Sequence, residues 1–133
     1  MARPRPGTRP RRRGRVLAWV LAAGLAAPGS GWAHAYLEKS SPTRRAVLTR
    51  APTEVRLWFN ERLEAAFSSL TVVDGDGKRV DTGDARVDPA DPKRLSVGLR
   101  PLGAGAYTVR YRVLSVDGHV VESQFSFTMR EAR

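Results

Sequence analysis

The sequence predicts an all-β fold, a small sandwich or barrel, carried behind a cleavable export leader. Three observations lead there. After residue 33 the apolar residues recur with period two in run after run. Each run is closed by a turn signal. Most of the excess basic charge lies in the first fifteen residues, ahead of an apolar stretch. Alternation of this kind builds strands with one buried and one wet face, and short strands at close spacing read as a sandwich or barrel.

The leader comes first. Seven arginines (Arg3, Arg5, Arg9, Arg11, Arg12, Arg13 and Arg15) precede the apolar run Val16 to Ala27, and no acid occurs before Glu38. Pro28 and Gly29 follow, and Gly31 and Ala33 supply the small residues of a cleavage site before His34. Charged start, short apolar core and small-x-small site are the parts of a signal peptide. The run is short for a bilayer span, which takes about 20 apolar residues. The expected division is a signal peptide over 1–33, a domain over 34–129 and a tail over 130–133.

Removing the leader changes the electrostatic reading. The whole chain of 133 residues carries a formal charge of +10, yet residues 34 to 133 hold 16 Lys and Arg against 13 Asp and Glu. That balance argues against a nucleic-acid binder. No second apolar stretch follows, so no membrane span is expected after cleavage. There is no cysteine, hence no disulfide and no thiolate metal site.

The strand signals run in order. Val55, Leu57 and Phe59 alternate with Arg56 and Trp58. Leu70 and Val72 alternate with Ser69 and Thr71, and the Asp74-Gly75-Asp76-Gly77 turn follows. Asp88 to Pro92 reads as a rigid polar loop. Leu95, Val97 and Leu99 form the next series. Gly103 and Gly105 lead into Tyr107, Val109, Tyr111 and Val113. Asp117-Gly118 joins this to Val121, Ser123, Phe125, Phe127 and Met129. Only Glu61 to Phe67 has the look of a helical turn. The predicted core is Leu37, Val55, Leu57, Phe59, Leu70, Val72, Leu95, Val97, Tyr107, Val109, Tyr111, Phe125 and Phe127. The acids Asp81, Asp84, Asp88 and Asp91 read as solvated loop residues.

Chemistry concentrates on two histidines, the whole complement of the chain. His34 becomes the first residue after cleavage. A free α-amine and ring Nδ1 close a small chelate on one metal ion, and a metal readily displaces the proton of an amine with pKa of about 7.7–8.0. His119 lies two residues after Asp117 in the Ser115-Val116-Asp117-Gly118-His119 turn. His34, Asp117 and His119 together offer three nitrogens and one oxygen. Cu(II) favours a tetragonal set of such donors, whereas Zn(II) prefers a tetrahedron. One Cu(II) per chain is therefore the expected cargo. Protons compete for all three nitrogens, so affinity should fall below about pH 6.

Taken separately, these residues have blander explanations: Asp-Gly is ordinary turn chemistry, and a histidine near a strand start is usually inert. Ser115 beside His119 hints at a hydrolase only faintly, because no second histidine is left to serve a nucleophile. Asp74 to Gly77 lacks the full ligand series of a calcium loop.

The residues from His34 onward resemble the CopC family of copper-resistance proteins. The resemblance is carried by His34-Ala-Tyr-Leu-Glu-Lys-Ser-Ser-Pro42, by Pro52-Thr-Glu-Val-Arg-Leu-Trp-Phe-Asn-Glu61, by Gly105-Ala-Tyr-Thr-Val-Arg-Tyr-Arg-Val-Leu-Ser-Val-Asp-Gly-His-Val120, and by Phe125-Ser-Phe127. It implies a seven-stranded Greek-key β-sandwich or barrel, immunoglobulin-like or cupredoxin-like. It implies a periplasmic carrier or buffer, a monomer and not an enzyme. Its Cu(II) ligands would be His34, Asp117 and His119, with Glu61 as a supporting acid. Its partner would be an inner-membrane copper transporter of the CopD type. Some members carry a methionine-rich Cu(I) loop. Met1 and Met129 are the only methionines here, so a Cu(II)-only protein is expected. The competing readings are a copper-dependent polysaccharide oxygenase, which would keep open copper positions, and a metal-free immunoglobulin-like interaction module, which would be indifferent to loss of His34.

Overall fold

The computed structural model describes residues 2–8, 10, 14 and 35–131. The chain divides into two units, Met1–Gly31 and Trp32–Arg133, and every strand among the described residues belongs to the second. His34 and the apolar run of the leader lie outside the described residues. Among the described residues, no helix is long and apolar enough to cross a membrane.

Eight strands are found among the described residues: β1 (Leu37–Ser41), β2 (Val47–Leu48), β3 (Glu54–Phe59), β4 (Ser69–Val73), β5 (Arg86–Asp88), β6 (Asp91–Gly98), β7 (Gly105–Leu114) and β8 (Val120–Met129). They form two four-stranded sheets, ordered β1-β3-β6-β5 and β2-β8-β7-β4. All pairings are antiparallel except the two-residue β2, which runs parallel to β8. The expected all-β sandwich is what the chain forms. The strand beyond seven is accounted for by edge segments as short as β2. Among the described residues the one helical turn, Ala65–Phe67, falls within the stretch expected for it.

The period-two pattern explains the layers. Along β7, Tyr107, Val109, Tyr111 and Val113 are buried, while Arg110 and Arg112 between them face outward. Their partners on β8 are Phe127, Phe125, Ser123 and Val121. From the opposite sheet come Val55, Leu57 and Phe59 of β3 and Leu95 and Val97 of β6, each at most 1% exposed. Phe59 meets Tyr111 edge-on across the interface, with ring centroids 5.5 Å apart. Tyr107 stacks on Phe127 at 5.4 Å, and its hydroxyl donates to the Gly103 carbonyl at 2.7 Å. Burying each such side chain stabilises the fold by about 1.5–3 kcal/mol before entropy is counted.

Twelve of the thirteen expected core residues are buried, and Leu37 packs partly buried against them. Leu63, Val113 and Met129 complete the cluster.

Two sequence expectations need correction. Asp88 to Pro92 is not a loop throughout: β5 ends at Asp88 and β6 begins at Asp91, leaving a tight turn. The Asp88 carboxylate supports that turn by accepting from the Ala90 N–H at 2.9 Å, and a proline beside the first residue of a strand costs little. Asp81 is not a solvated acid. It is 3% exposed, and its carboxylate accepts from the N–H groups of Val72 (3.0 Å) and Gly83 (3.1 Å) and from Arg79 (2.6 Å). Burial pushes this carboxyl up. The Arg79 hydrogen bond, the Val72 amide, the Arg79 charge and the Gly83 amide outweigh it, leaving the group below its ordinary value.

Candidate metal centre at one end of the sandwich

Four segments converge at one end of the sandwich: the approach to β1, the stretch after β3, the end of β7 and the start of β8. Backbone hydrogen bonds stitch them together. The Tyr36 N–H donates to the side-chain oxygen of Asn60 at 2.6 Å, and the Asn60 N–H donates back to the Tyr36 carbonyl at 3.2 Å. Ala35, one residue earlier, is 1% exposed. Beyond Asn60 and Glu61 the chain passes to the other sheet. The Val116 N–H donates to the Arg62 carbonyl (2.9 Å), Leu63 bridges Ser115, and the Glu64 N–H donates to the Leu114 carbonyl (2.8 Å). The segment entering β1 and the β7–β8 turn are thus tied to one short stretch, residues 60–64. Glu61, half-buried, lies between the two ties.

The β7–β8 turn is closed on itself. The Ser115 N–H donates to the His119 carbonyl and the Gly118 N–H to the Ser115 carbonyl, both at 2.9 Å. Gly118 has φ +93°, a backbone region that an L side chain rarely adopts. The His119 N–H donates to the Ser115 hydroxyl oxygen at 3.1 Å, and that hydroxyl donates to Oδ1 of Asp117.

The geometry places Asp117 Oδ2 3.4 Å from His119 Nδ1. The Asp117 side chain is 42% exposed and that of His119 20%. The hydrogen bond from Ser115 holds the Asp117 carboxyl below the usual carboxylate range. Desolvation opposes this, and the charge and hydrogen bond of His119 add to it. A partly exposed carboxylate kept ionised beside an imidazole is a donor pair suited to a divalent cation that takes N and O ligands. Among the described residues no group of three or more His, Asp or Glu side chains is poised around one point. Asp117 and His119 bring two such groups together on one turn.

Of the three expected ligands, then, the structure brings Asp117 and His119 together. His34 lies outside the described residues, one position before buried Ala35. Two residues of this end have roles that the sequence reading did not reveal. Asn60 clamps the backbone that follows His34. Ser115 holds the turn from within, and the only trace of it in the sequence is a hydroxyl residue two places before an Asp-Gly.

A two-sheet β-sandwich with a carboxylate and an imidazole side by side on its last hairpin is a frame that suits a small metal-binding domain. The family model for the CopC domain matches residues 37–130, and the chain belongs to that family of copper-resistance proteins, carriers rather than enzymes. It is similar to Protein YobA of Escherichia coli K12, with 35% identity over 84% of this chain and 90% of the relative. It is also similar to the copper transport protein CutJ of Bacillus subtilis, with 33% identity over 79% of this chain but 20% of the relative. Among solved structures, CopC from Methylosinus trichosporium OB3b superposes with a TM-score of 0.70 at 34% identity, covering 75% of this chain and 97% of that one.

Proposed function

We propose that the protein is an exported Cu(II) carrier: cleavage before His34 frees an amine that, with the His34 ring, Asp117 and His119, holds one copper ion in the periplasm. The observation that carries this reading is the Asp117–His119 pair at 3.4 Å, on a turn tied through residues 60–64 to the chain that follows His34. The donors suit the cargo. Two imidazoles, an amine and a carboxylate form a nitrogen-rich set for Cu(II), and the described residues offer Met129, buried in the core, as their one thioether beyond the leader. A site of this composition favours Cu(II) over Cu(I), which prefers soft sulfur.

A carrier needs a recipient. In the Bacillus relative the matched stretch makes up a fifth of a copper transport protein, which supports delivery to an inner-membrane transporter of the CopD type. The exchange would need no redox step, because the ion enters and leaves as Cu(II).

The test is an electron paramagnetic resonance titration with Cu(II) on protein beginning at His34, repeated on protein with one extra N-terminal residue. A single tetragonal, nitrogen-rich signal that saturates at one copper and changes with the extension supports the reading. The same weak signal from both proteins overturns it.

A further inference from the structure

Ser115 belongs to no ligand set, yet it is 1% exposed, lies two residues before Asp117, and has polar neighbours on both sides of its hydroxyl. We propose that Ser115 is the positioning residue of the copper site: it pins the Asp117 carboxylate so that a single oxygen, Oδ2, is turned toward His119 and the bound ion. This rests on the copper reading above.

The count of protons around the Ser115 hydroxyl decides which carboxylate oxygen is pinned. A serine hydroxyl has one proton to donate and lone pairs to accept with. It accepts the His119 N–H at 3.1 Å. Two acceptors compete for its proton: Oδ1 of Asp117, in close contact, and the His119 carbonyl at 3.4 Å. The carboxylate is both nearer and charged, and a charge-assisted hydrogen bond is roughly twice as strong as a neutral one. The proton therefore goes to Oδ1, and the carboxylate plane is fixed. Oδ2 is left 3.4 Å from His119 Nδ1. The serine is itself held, by its bridge to Leu63 and by its own N–H on the His119 carbonyl. One buried hydroxyl thus sets the relative orientation of both donors on the turn before any metal arrives.

The prediction is that Ser115→Ala weakens Cu(II) binding about tenfold to a hundredfold, the usual cost of losing an orienting partner. It should also alter the electron paramagnetic resonance spectrum of the bound ion, because a freed carboxylate can rotate and offer both oxygens. A double-mutant cycle separates this from general loosening of the turn. In an Asp117→Ala background the same serine change should cost less than about threefold, since the carboxylate it acts through is gone. The lost acceptor for the His119 N–H is common to both backgrounds and cancels.

Equal losses in the two backgrounds, or unchanged affinity in Ser115→Ala, overturn the role of Ser115 while leaving the copper reading intact. Failure of the wild-type protein to bind one Cu(II) overturns both. Should Ser115→Ala not fold, nuclear magnetic resonance of the metal-free wild type carries the test. The Ser115 hydroxyl proton should be slow to exchange and shifted downfield, and Asp117→Ala should abolish both effects. A hydroxyl proton indifferent to Asp117→Ala overturns the proposal.

Discussion

Asp81 and Asp117 each lie two residues after a basic or hydroxyl partner and close to a glycine, and the fold treats them in opposite ways. Asp81, in the connection from β4 to β5, is wholly inside. Arg79, Val72 and Gly83 between them occupy both of its oxygens. Asp117, in the β7–β8 turn, keeps 42% of its side chain exposed, gives one oxygen to Ser115 and turns the other to His119. A carboxylate with every lone-pair direction taken stabilises its surroundings and has nothing left to offer a cation. One that is half satisfied and half exposed is ionised, oriented and available. The difference between the two aspartates is the number of unspent oxygens, not the residue type.

The comparison is tested most sharply by exchanging the consequences. Replacing His119 by Ala should lower Cu(II) affinity more than about a hundredfold, beyond what loss of an orienting partner costs. The metal-free protein should keep its unfolding free energy within about 1 kcal/mol, because the turn's backbone hydrogen bonds remain. Copper should then no longer raise the melting temperature, as it does by mass action when it binds only the folded state. Asp81→Ala should do the reverse. It leaves the buried Val72 amide and the more exposed Gly83 amide without their acceptor and should destabilise the fold by about 2 kcal/mol, with copper affinity unchanged. Copper titration and urea unfolding of both variants decide it, and a loss of copper affinity in Asp81→Ala would erase the distinction.

Acid should separate the same two regions. Asp81 sits below its ordinary value when folded, while an unfolded aspartate titrates near about 3.9. As pH falls through that range the unfolded chain takes up the proton first, so the stability Asp81 contributes is intact above about pH 5 and is lost progressively below about pH 4. The gap in unfolding free energy between wild type and Asp81→Asn should therefore be widest near neutrality and narrow between pH 4 and pH 2. A gap that stays constant across that interval would mean that the charge of Asp81 does not matter to the fold.

How much of this was legible beforehand follows from the range of each interaction. The alternation in β3, β6, β7 and β8 is local, and it identified nearly the whole core. Leu63 escaped because it sits in the irregular stretch after β3, where no period marks it. Asp81 was misread for a related reason. Arg79 and Gly83 are close in sequence, but Val72, nine residues away, comes into reach only when β4 and the following segment fold together. That Asp117 and His119 are neighbours was legible because Asp117-Gly118 signals a turn and the two residues fall within it. Ser115 belongs to the same five residues, yet its role depends on where its proton goes, and spacing does not encode that. The Asn60–Tyr36 clamp spans 24 residues and has no local signature.

That clamp supplies the mildest test. Asn60 holds the backbone of Tyr36 through a side-chain oxygen and an amide, and Tyr36 is two residues from His34. Asn60→Ala removes the side-chain half and leaves the backbone half in place. A single exposed hydrogen bond is worth about 1 kcal/mol, so global stability should hardly change, while the Tyr36 amide should exchange with solvent about fivefold faster. If the start of the chain supplies copper ligands, loosening it must also weaken binding by a similar few-fold factor, because part of the binding energy then goes into ordering that segment. Faster exchange at Tyr36 with unchanged copper affinity would detach the chain start from the site. Affinity and exchange that move together would join the two ends of the chain in one centre, which Asp81, for all its buried hydrogen bonds, does not touch.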